Sequence, residues 1–372
     1  MKKAPALRFK GFTNDWEQRK LKEVVNINPS TNVPNTFNYV DLNSVKGVSL
    51  IKVKKINKKE APSRAQRVAK NGDIFYQMVR PYQKNNYLFN KPKTSFPYVF
   101  STGYAQLRSI KTSPSYIFPL LQKSDFVNKV LAHSTGTSYP AINSRDLGQI
   151  KIYLPNELVE QNKIGEIFQK INKIIELQQR KLESFQFTYH EIIRRLFLKK
   201  AKWQQTKLSD LVTILDKNRK PVKKEDRLFG DTPYYGANGI QDYISGFTHK
   251  GEFILIAEDG ANSLTEYPIY FVKGQIWVNN HAHVLKINKD VSPLFLALAL
   301  KQINYSKYTV GSSRNKLNLK DLENIAIFIP DNNEQQRIGQ FYSNYLNYLR
   351  INKKRIQYMK QFKQFLLQNM FI

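Results

Sequence analysis

Cysteine is absent from the 372 residues, so neither disulfides nor thiolate-held metals organise this chain. Acids are scarce: 29 Asp and Glu stand against 59 Lys and Arg, a formal charge of +30. No apolar run is long. The longest, Leu294 to Leu300, falls far short of the roughly 20 residues that cross a bilayer, and Met1-Lys2-Lys3 is not followed by a signal-peptide core. The expectation is a soluble, cytoplasmic protein with no membrane partner. Chemical fingerprints are missing too. There is no Gly-x-Gly for a dinucleotide loop, no Gly-Lys pair for a phosphate loop, and no Pro-Pro pair for the Asn/Asp-Pro-Pro-aromatic motif of base-modifying methyltransferases. His281-Ala282-His283 lacks an evident third ligand and reads as a structural or recognition pair rather than a metal site. Glu258-Asp259-Gly260 reads as turn chemistry. No catalytic residue, metal site or cofactor is expected in this chain.

What is present is positive charge and repetition. Such an excess of cations costs self-repulsion and is rationalised by a polyanionic partner, whose neutralised phosphates release counterions. Codon bias in an AT-rich genome, which favours Lys and Asn, is the competing explanation. Trp16-Glu17-Gln18-Arg19-Lys20-Leu21 recurs as Trp203-Gln204-Gln205-Thr206-Lys207-Leu208, an offset of 187 (203 minus 16). Gly136-Thr137-Ser138 recurs as Gly311-Ser312-Ser313, and in both halves a strand-like run then ends in proline, Pro155 or Pro330, before a long amphipathic stretch.

Four segments follow. Residues 1–155 and 200–330 alternate short β-branched and aromatic runs with turn signals such as Asn71-Gly72, Arg80-Pro81 and Asn238-Gly239. Both read as mixed, mostly β domains, the same fold with altered loops in each half. Residues 156–199 and 331–372 read as long helices. In the first, Ile164, Phe168, Ile171, Ile175, Gln178, Leu182, Phe185, Tyr189, Ile192 and Leu196 form a heptad seam; adding 174 (335 minus 161) gives a second, from Ile338 to Met370. Its polar break at Asn352 matches the break at Gln178. The fold class expected is α+β: two domains related by pseudo-two-fold symmetry, separated by two antiparallel coiled-coil helices. In that arrangement Gln178 and Asn352 would meet near the axis and fix register, unless both are simply exposed. A rod on the order of 55 Å, from about 1.5 Å per residue, would hold two readers on successive turns of a duplex, which repeats every ~34 Å.

Recognition candidates cluster in loops. Residues 46–70 carry nine Lys and Arg against the single acid Glu60, and within them Ser63-Arg64-Ala65-Gln66-Arg67 offers groups suited to bases and phosphates. Gln77, Arg80 and Tyr82 flank a proline turn at a plausible groove-facing tip. Thr137, Ser138 and Tyr139 lie in the loop 136–143, and Ser312, Ser313 and Arg314 in its counterpart 311–318. The second domain adds Tyr235, Asn238, Asn280 and His281. Solvated loops and structural turns are the competing readings throughout.

Over essentially its full length the chain resembles the specificity subunit of a type I restriction-modification system. The residues carrying the match are Leu7-Arg8-Phe9 through Trp16-Glu17, residues 63–67, and Gly72-Asp73-Ile74-Phe75 to Arg80-Pro81. They continue through Gly136 to Asn143 and Tyr234 to Gly239, and include Glu160-Gln161 and Glu334-Gln335-Gln336 at the helix starts. The resemblance implies two target-recognition domains, each reading one half of an asymmetric, bipartite site in double-stranded DNA across an unread spacer. It implies helices that set the spacer and bind two methyltransferase subunits, with restriction-translocase subunits joining for cleavage. S-adenosylmethionine, ATP and Mg2+ would sit on those partners. One departure is Arg314-Asn315 where the first copy has Tyr139-Pro140, so no shared role follows for Tyr139 and Arg314. The alternative is a standalone nucleic-acid-binding or architectural protein without enzymatic partners.

Overall fold

The computed structural model describes residues 4–91, 96–198, 203–311 and 315–372. They form two compact units, residues 1–181 with 353–372, and residues 182–352. One frame underlies both. In the first unit Glu17–Lys20 pairs antiparallel with Lys151–Leu154, setting Glu17 opposite Leu154; in the second Gln204–Lys207 pairs with Ala326–Ile329, setting Gln204 opposite Ile329. A four-residue helical turn follows each first strand, Leu21–Val24 and Leu208–Leu211, and buries its two apolar residues. The repeated tryptophan anchors this corner. Trp16, 2% exposed, meets Tyr116 edge-on at 5.8 Å, and Trp203 meets Phe295 edge-on at the same distance.

The frame continues into a shared sheet. The first unit orders Val25–Ile27, Tyr104–Ser109, Ile74–Gln77 and Tyr87–Leu88; the second orders Val212–Ile214, Ala282–Ile287, His249–Ala257 and Ile269–Val278. Register is conserved between the copies, with Leu107 opposite Ile27 and Leu285 opposite Ile214. Beyond this sheet the units part. The first adds a separate sheet of Lys54–Asn57, Thr36–Val40, Tyr98–Ser101 and Ala65–Val68, packed through Phe100 stacked on Phe75 at 3.6 Å. The second extends the shared sheet to six strands with the hairpin Phe229–Gly236 and Gly239–Ile244. Altered loops alone do not describe this difference. His249–Ala257 and Ile269–Val278, of 9 and 10 residues, outrun the shared portion and give the hairpin an edge to join. Their counterparts have 4 and 2 residues and give none.

Two long helices, Leu158–Leu198 and Asn332–Asn369, run antiparallel. In the first unit Phe168, from the start of one helix, meets Phe371, just past the end of the other, at 5.5 Å. In the second unit Tyr189, late in the first helix, stacks on Tyr345 at 3.4 Å. The expected seam is buried at its apolar positions from Ile164 to Leu182 and again at Tyr189, while Phe185 between them is exposed and packs on Tyr348 at 4.1 Å; beyond Tyr189 it slips by one residue. Ile193 and Phe197 are buried, whereas Ile192 is exposed. A straight helix drifts from a seven-residue repeat, and this end packs into a globular core of strands and short helices rather than along one partner helix.

Each long helix is hooked to its unit by the same device. Gln161 accepts a hydrogen bond at Oε1 from the Ser113 backbone N–H and donates from Nε2 to the Pro155 carbonyl. Gln335 does the same with the Ser292 N–H and the Pro330 carbonyl. Both amides are buried. One turn further along, Gly165 and Gly339 let a short helix approach. A Cβ at Gly165 would stand 2.5 Å from the Ser115 carbonyl carbon, and one at Gly339 would stand 2.8 Å from Ser292 Oγ.

Candidate nucleic-acid interface

In the first unit the basic stretch lies on an edge strand and the turn beyond it. Lys54–Asn57 turns Ile56 into the core and leaves Lys54 and Lys55 outside, with Lys55 Nζ 3.7 Å from the centre of the Phe96 ring. Ser63 and Arg64 are exposed in the following turn. Ala65–Val68 then buries Ala65 and exposes Gln66, whose Nε2 donates to the Ser63 carbonyl. Arg67 is half-buried, its Nε lacks a hydrogen-bond partner, and burial lowers its guanidinium pKa.

The sharpest feature is the tip at Arg80. Its backbone is left-handed, φ 53°, a conformation that costs a non-glycine residue free energy and is held only by its surroundings. Here the Arg80 N–H donates to the Pro140 carbonyl and isolated bridges join Val79 and Thr135 to Ala141. Gly136, at φ 87°, makes the accompanying turn; a Cβ there would stand 3.0 Å from the Tyr139 carbonyl oxygen. The Arg80 guanidinium consequently lies over the Tyr139 ring at 4.0 Å, and Tyr139 is 63% exposed. Thr137 and Ser138 are exposed beside it, as is Tyr82. Gln77 is placed differently. At 3% exposure it donates from Nε2 to Gln83 Oε1 and accepts at Oε1 from the Asn85 N–H, bracing the turn from inside.

In the second unit Asn238 latches two loops. Its Nδ2 donates to the Gly260 carbonyl and its Oδ1 accepts from the Asn262 N–H. Gly260 in turn donates to the Asn315 carbonyl, which fixes the far end of the 311–318 loop beside this latch. Ser312, Ser313 and Arg314 themselves lie outside the described residues. Tyr235 is half-buried 6.5 Å from Tyr270, and burial raises its phenol pKa. Asn280 is exposed; His281 sits in the same turn, with its N–H donating to Asn279 Oδ1. On the helices, Asn352 Nδ2 donates to the Tyr348 carbonyl of its own helix.

A partly buried ion network escaped the sequence reading. His283, 1% exposed, points Nδ1 at Asp216 and Nε2 at the Leu317 carbonyl. Arg219 bonds Glu258 and the Ala282 carbonyl, and its guanidinium also lies 3.4 Å from Asp216. Burial pushes the Asp216 carboxyl upward, but hydrogen bonds from His283 and the Val284 N–H, with the charge of Arg219, bring it below its ordinary range. Asp216, Glu258 and His283 could together face a cation; the Arg219 guanidinium already supplies that positive charge. The network ties the strand Ala282–Ile287 to the short helix Asp216–Asn218 and to the end of the 311–318 loop at Leu317.

Two copies of one α+β frame, the first with a separate insert sheet and the second with a hairpin added to the shared sheet, each with a long helix hooked on by a glutamine, define a duplicated, helix-linked architecture. The chain belongs to the type I restriction modification DNA specificity domain family, whose model matches residues 13–185 and 200–361. Among curated relatives it is 44% identical over 131 residues to a putative type I restriction enzyme specificity subunit of Haemophilus influenzae, covering 35% of this chain and 34% of that one. It is 28% identical over 98 residues to a type I restriction enzyme specificity subunit of Escherichia coli, covering 26% and 24%. The chain thus spans about a third or less of the length of these relatives in the matched regions. The fold is shared with the crystal structure of a type I restriction-modification S subunit from M. genitalium, at TM-score 0.71 and 17% identity over 99% of both chains. A chain from a structure on complex assembly of the type I system matches at TM-score 0.52 and 22% identity over 95% and 96%.

Proposed function

We propose that this chain is the specificity subunit of a type I restriction-modification complex, in which each unit reads one half of an asymmetric, bipartite site in double-stranded DNA. The observation that carries the reading is one frame in conserved register bearing two differently built inserts. A shared frame presents its reading surface in the same way twice, and unlike inserts let the two surfaces recognise unlike sequences. In the first unit Arg80, whose guanidinium lies over the Tyr139 ring, is the leading base reader, since a planar guanidinium held in place is suited to bidentate hydrogen bonding. Ser63, Arg64, Gln66, Arg67, Tyr82, Thr137 and Ser138 surround that role. In the second, Tyr235, Asn280, His281 and the loop 312–314 form the reader, with Asn238 and Gln77 acting as braces for their respective loops.

The long helices set the unread spacer and dock two methyltransferase subunits, with restriction-translocase subunits joining them. S-adenosylmethionine, ATP and Mg2+ belong to those partners. Exposed apolar side chains on the helices support this: Ile174 and Leu177 in the first unit, and Ile351 in the second at the position matching Leu177. The test replaces residues 30–150 with the corresponding insert of a relative of different specificity, then reads the methylated motif by sequencing DNA modified with the methyltransferase present. One half of the motif should change and the other persist. A change in both halves, or no motif at all, refutes the reading. A chain that binds duplex but captures no methyltransferase would be a standalone binding protein instead.

A further inference from the structure

We propose that His283, standing as a doubly protonated imidazolium, is the positioning residue that holds the second unit's reading surface in the geometry that recognises its half-site. The inference rests on the DNA-reading function proposed above and adds the residue on which the second reader depends. Both ring nitrogens face acceptors: Nδ1 lies 2.5 Å from Asp216 Oδ2, and Nε2 lies 2.9 Å from the Leu317 carbonyl oxygen. A neutral imidazole donates from one nitrogen only, so the two acceptors are satisfied together only when both nitrogens carry protons. Arg219 stands 3.4 Å from the same Asp216 oxygen and keeps that carboxyl ionised, so the shared proton belongs to the ring. Charge agrees. Arg219 and a cationic His283 balance Asp216 and Glu258, whose carboxylate lies 3.7 Å from Nδ1. A neutral ring would leave one carboxylate uncompensated where every side chain is less than a fifth exposed.

Three pieces of the second reading surface meet at this ring. The loop 311–318 ends on it through Leu317, whose N–H also donates to the Glu258 carbonyl. The turn carrying Asn280 and His281 is held by the groups around the ring. There the His281 carbonyl accepts from the Glu258 N–H, and the Ala282 carbonyl accepts from the Arg219 guanidinium. The strand His249–Ala257 brings in Glu258 itself at its end. The shared frame closes without these charges. In the first unit Ile142 donates to the Met78 carbonyl and Arg80 to the Pro140 carbonyl, as Leu317 donates to Glu258 and Gly260 to Asn315 in the second. Met78 therefore stands where Glu258 does. The common register, with Leu107 matching Leu285, puts Ala105 where His283 stands. An ion set built into the second copy, at positions that are Met78 and Ala105 in the first, serves the second copy's own loops rather than the fold they share.

The experiment measures binding of the full chain, with the methyltransferase present, to the motif found by methylation sequencing and to that motif with either half scrambled. The half that persists when residues 30–150 are exchanged is the second unit's. His283→Leu should reduce discrimination against a scrambled second half at least ~10-fold, about the effect of one mismatched base pair. Discrimination against a scrambled first half should stay within about twofold. Circular dichroism verifies folding. Isotope labelling of the five histidines should show by NMR one ring with both nitrogens protonated and shielded from solvent exchange, a signal that His283→Leu lacks. Asp216→Asn keeps an acceptor for the Val284 N–H; it should convert that ring to the neutral form and lower second-half discrimination too, which tests the inference even where His283→Leu does not fold. A neutral ring in the unsubstituted chain overturns the proposal, as does a folded variant in which both discriminations survive. Equal loss of both also overturns it and makes the network a general support of the fold. An unsubstituted chain that discriminates neither half refutes the DNA-reading function itself.

Discussion

At Arg80 a strained backbone, an unpaired Nε and an exposed aromatic platform coincide. Arg80→Lys keeps the charge but loses the planar fork and the stacking on Tyr139. Binding to the cognate site should weaken by about 1–3 kcal/mol, while binding to scrambled duplex stays nearly unchanged; fluorescence anisotropy with both duplexes reads the difference. Lys363 gives a second residue-scale prediction. With the ammonium at about 8 in the fold against 10.5 when exposed, Lys363 is protonated in both folded and unfolded chains below pH 8, and there its burial disfavours the fold. Between those values the folded chain has shed the proton and the unfolded chain has not, so stability rises with pH across that window. Lys363→Met should therefore raise the melting temperature at pH 7, with the gain gone by about pH 10.5; thermal melts at several pH values check it. The turn at Arg80 was legible in the sequence because a proline after a buried strand marks one. The Arg219 network was not, since Asp216, Glu258 and His283 meet only through strand pairing.

Among the elements, the two long helices were the most legible, because a seam repeated at a constant offset is visible without any tertiary information. The slip from Ile192 to Ile193 was not, as it depends on what the helix end packs against. The glutamine hooks were visible only as a repeated pair of letters, and their bonds to Ser113 and Ser292 needed the fold. Gln161→Leu and Gln335→Leu each leave a backbone N–H and a proline carbonyl unpaired in the interior, and each should cost about 1–3 kcal/mol. The glycines beside them differ. Gly165→Ala meets main chain at 2.5 Å, whereas Gly339→Ala meets a serine hydroxyl that can rotate away. Chemical denaturation should show the first as clearly destabilising and the second as milder. Equal effects would mean that the two hooks are packed alike.

On the scale of the whole molecule, duplication of the frame was plain from Trp16 and Trp203, while the divergence of the inserts was understated. Short apolar runs bounded by turns show that strands exist but not which strand they join. Modularity gives a prediction here. Leu177→Asp with Ile351→Asp should abolish retention of the methyltransferase on a column carrying this chain and leave its affinity for duplex within about twofold, since exposed substitutions away from special features cost little. Loss of both together would place partner and DNA on one surface.

The core of the first unit includes Leu366, Leu367, Met370 and Phe371, whereas the second unit is one unbroken stretch, 182–352. The segment translated second is therefore complete in sequence once residue 352 has emerged, while the one begun first still waits for its closing piece. Until residues 366–371 emerge, the opening half of the chain keeps an apolar face unsealed, so it is the half most exposed to chaperones and proteases.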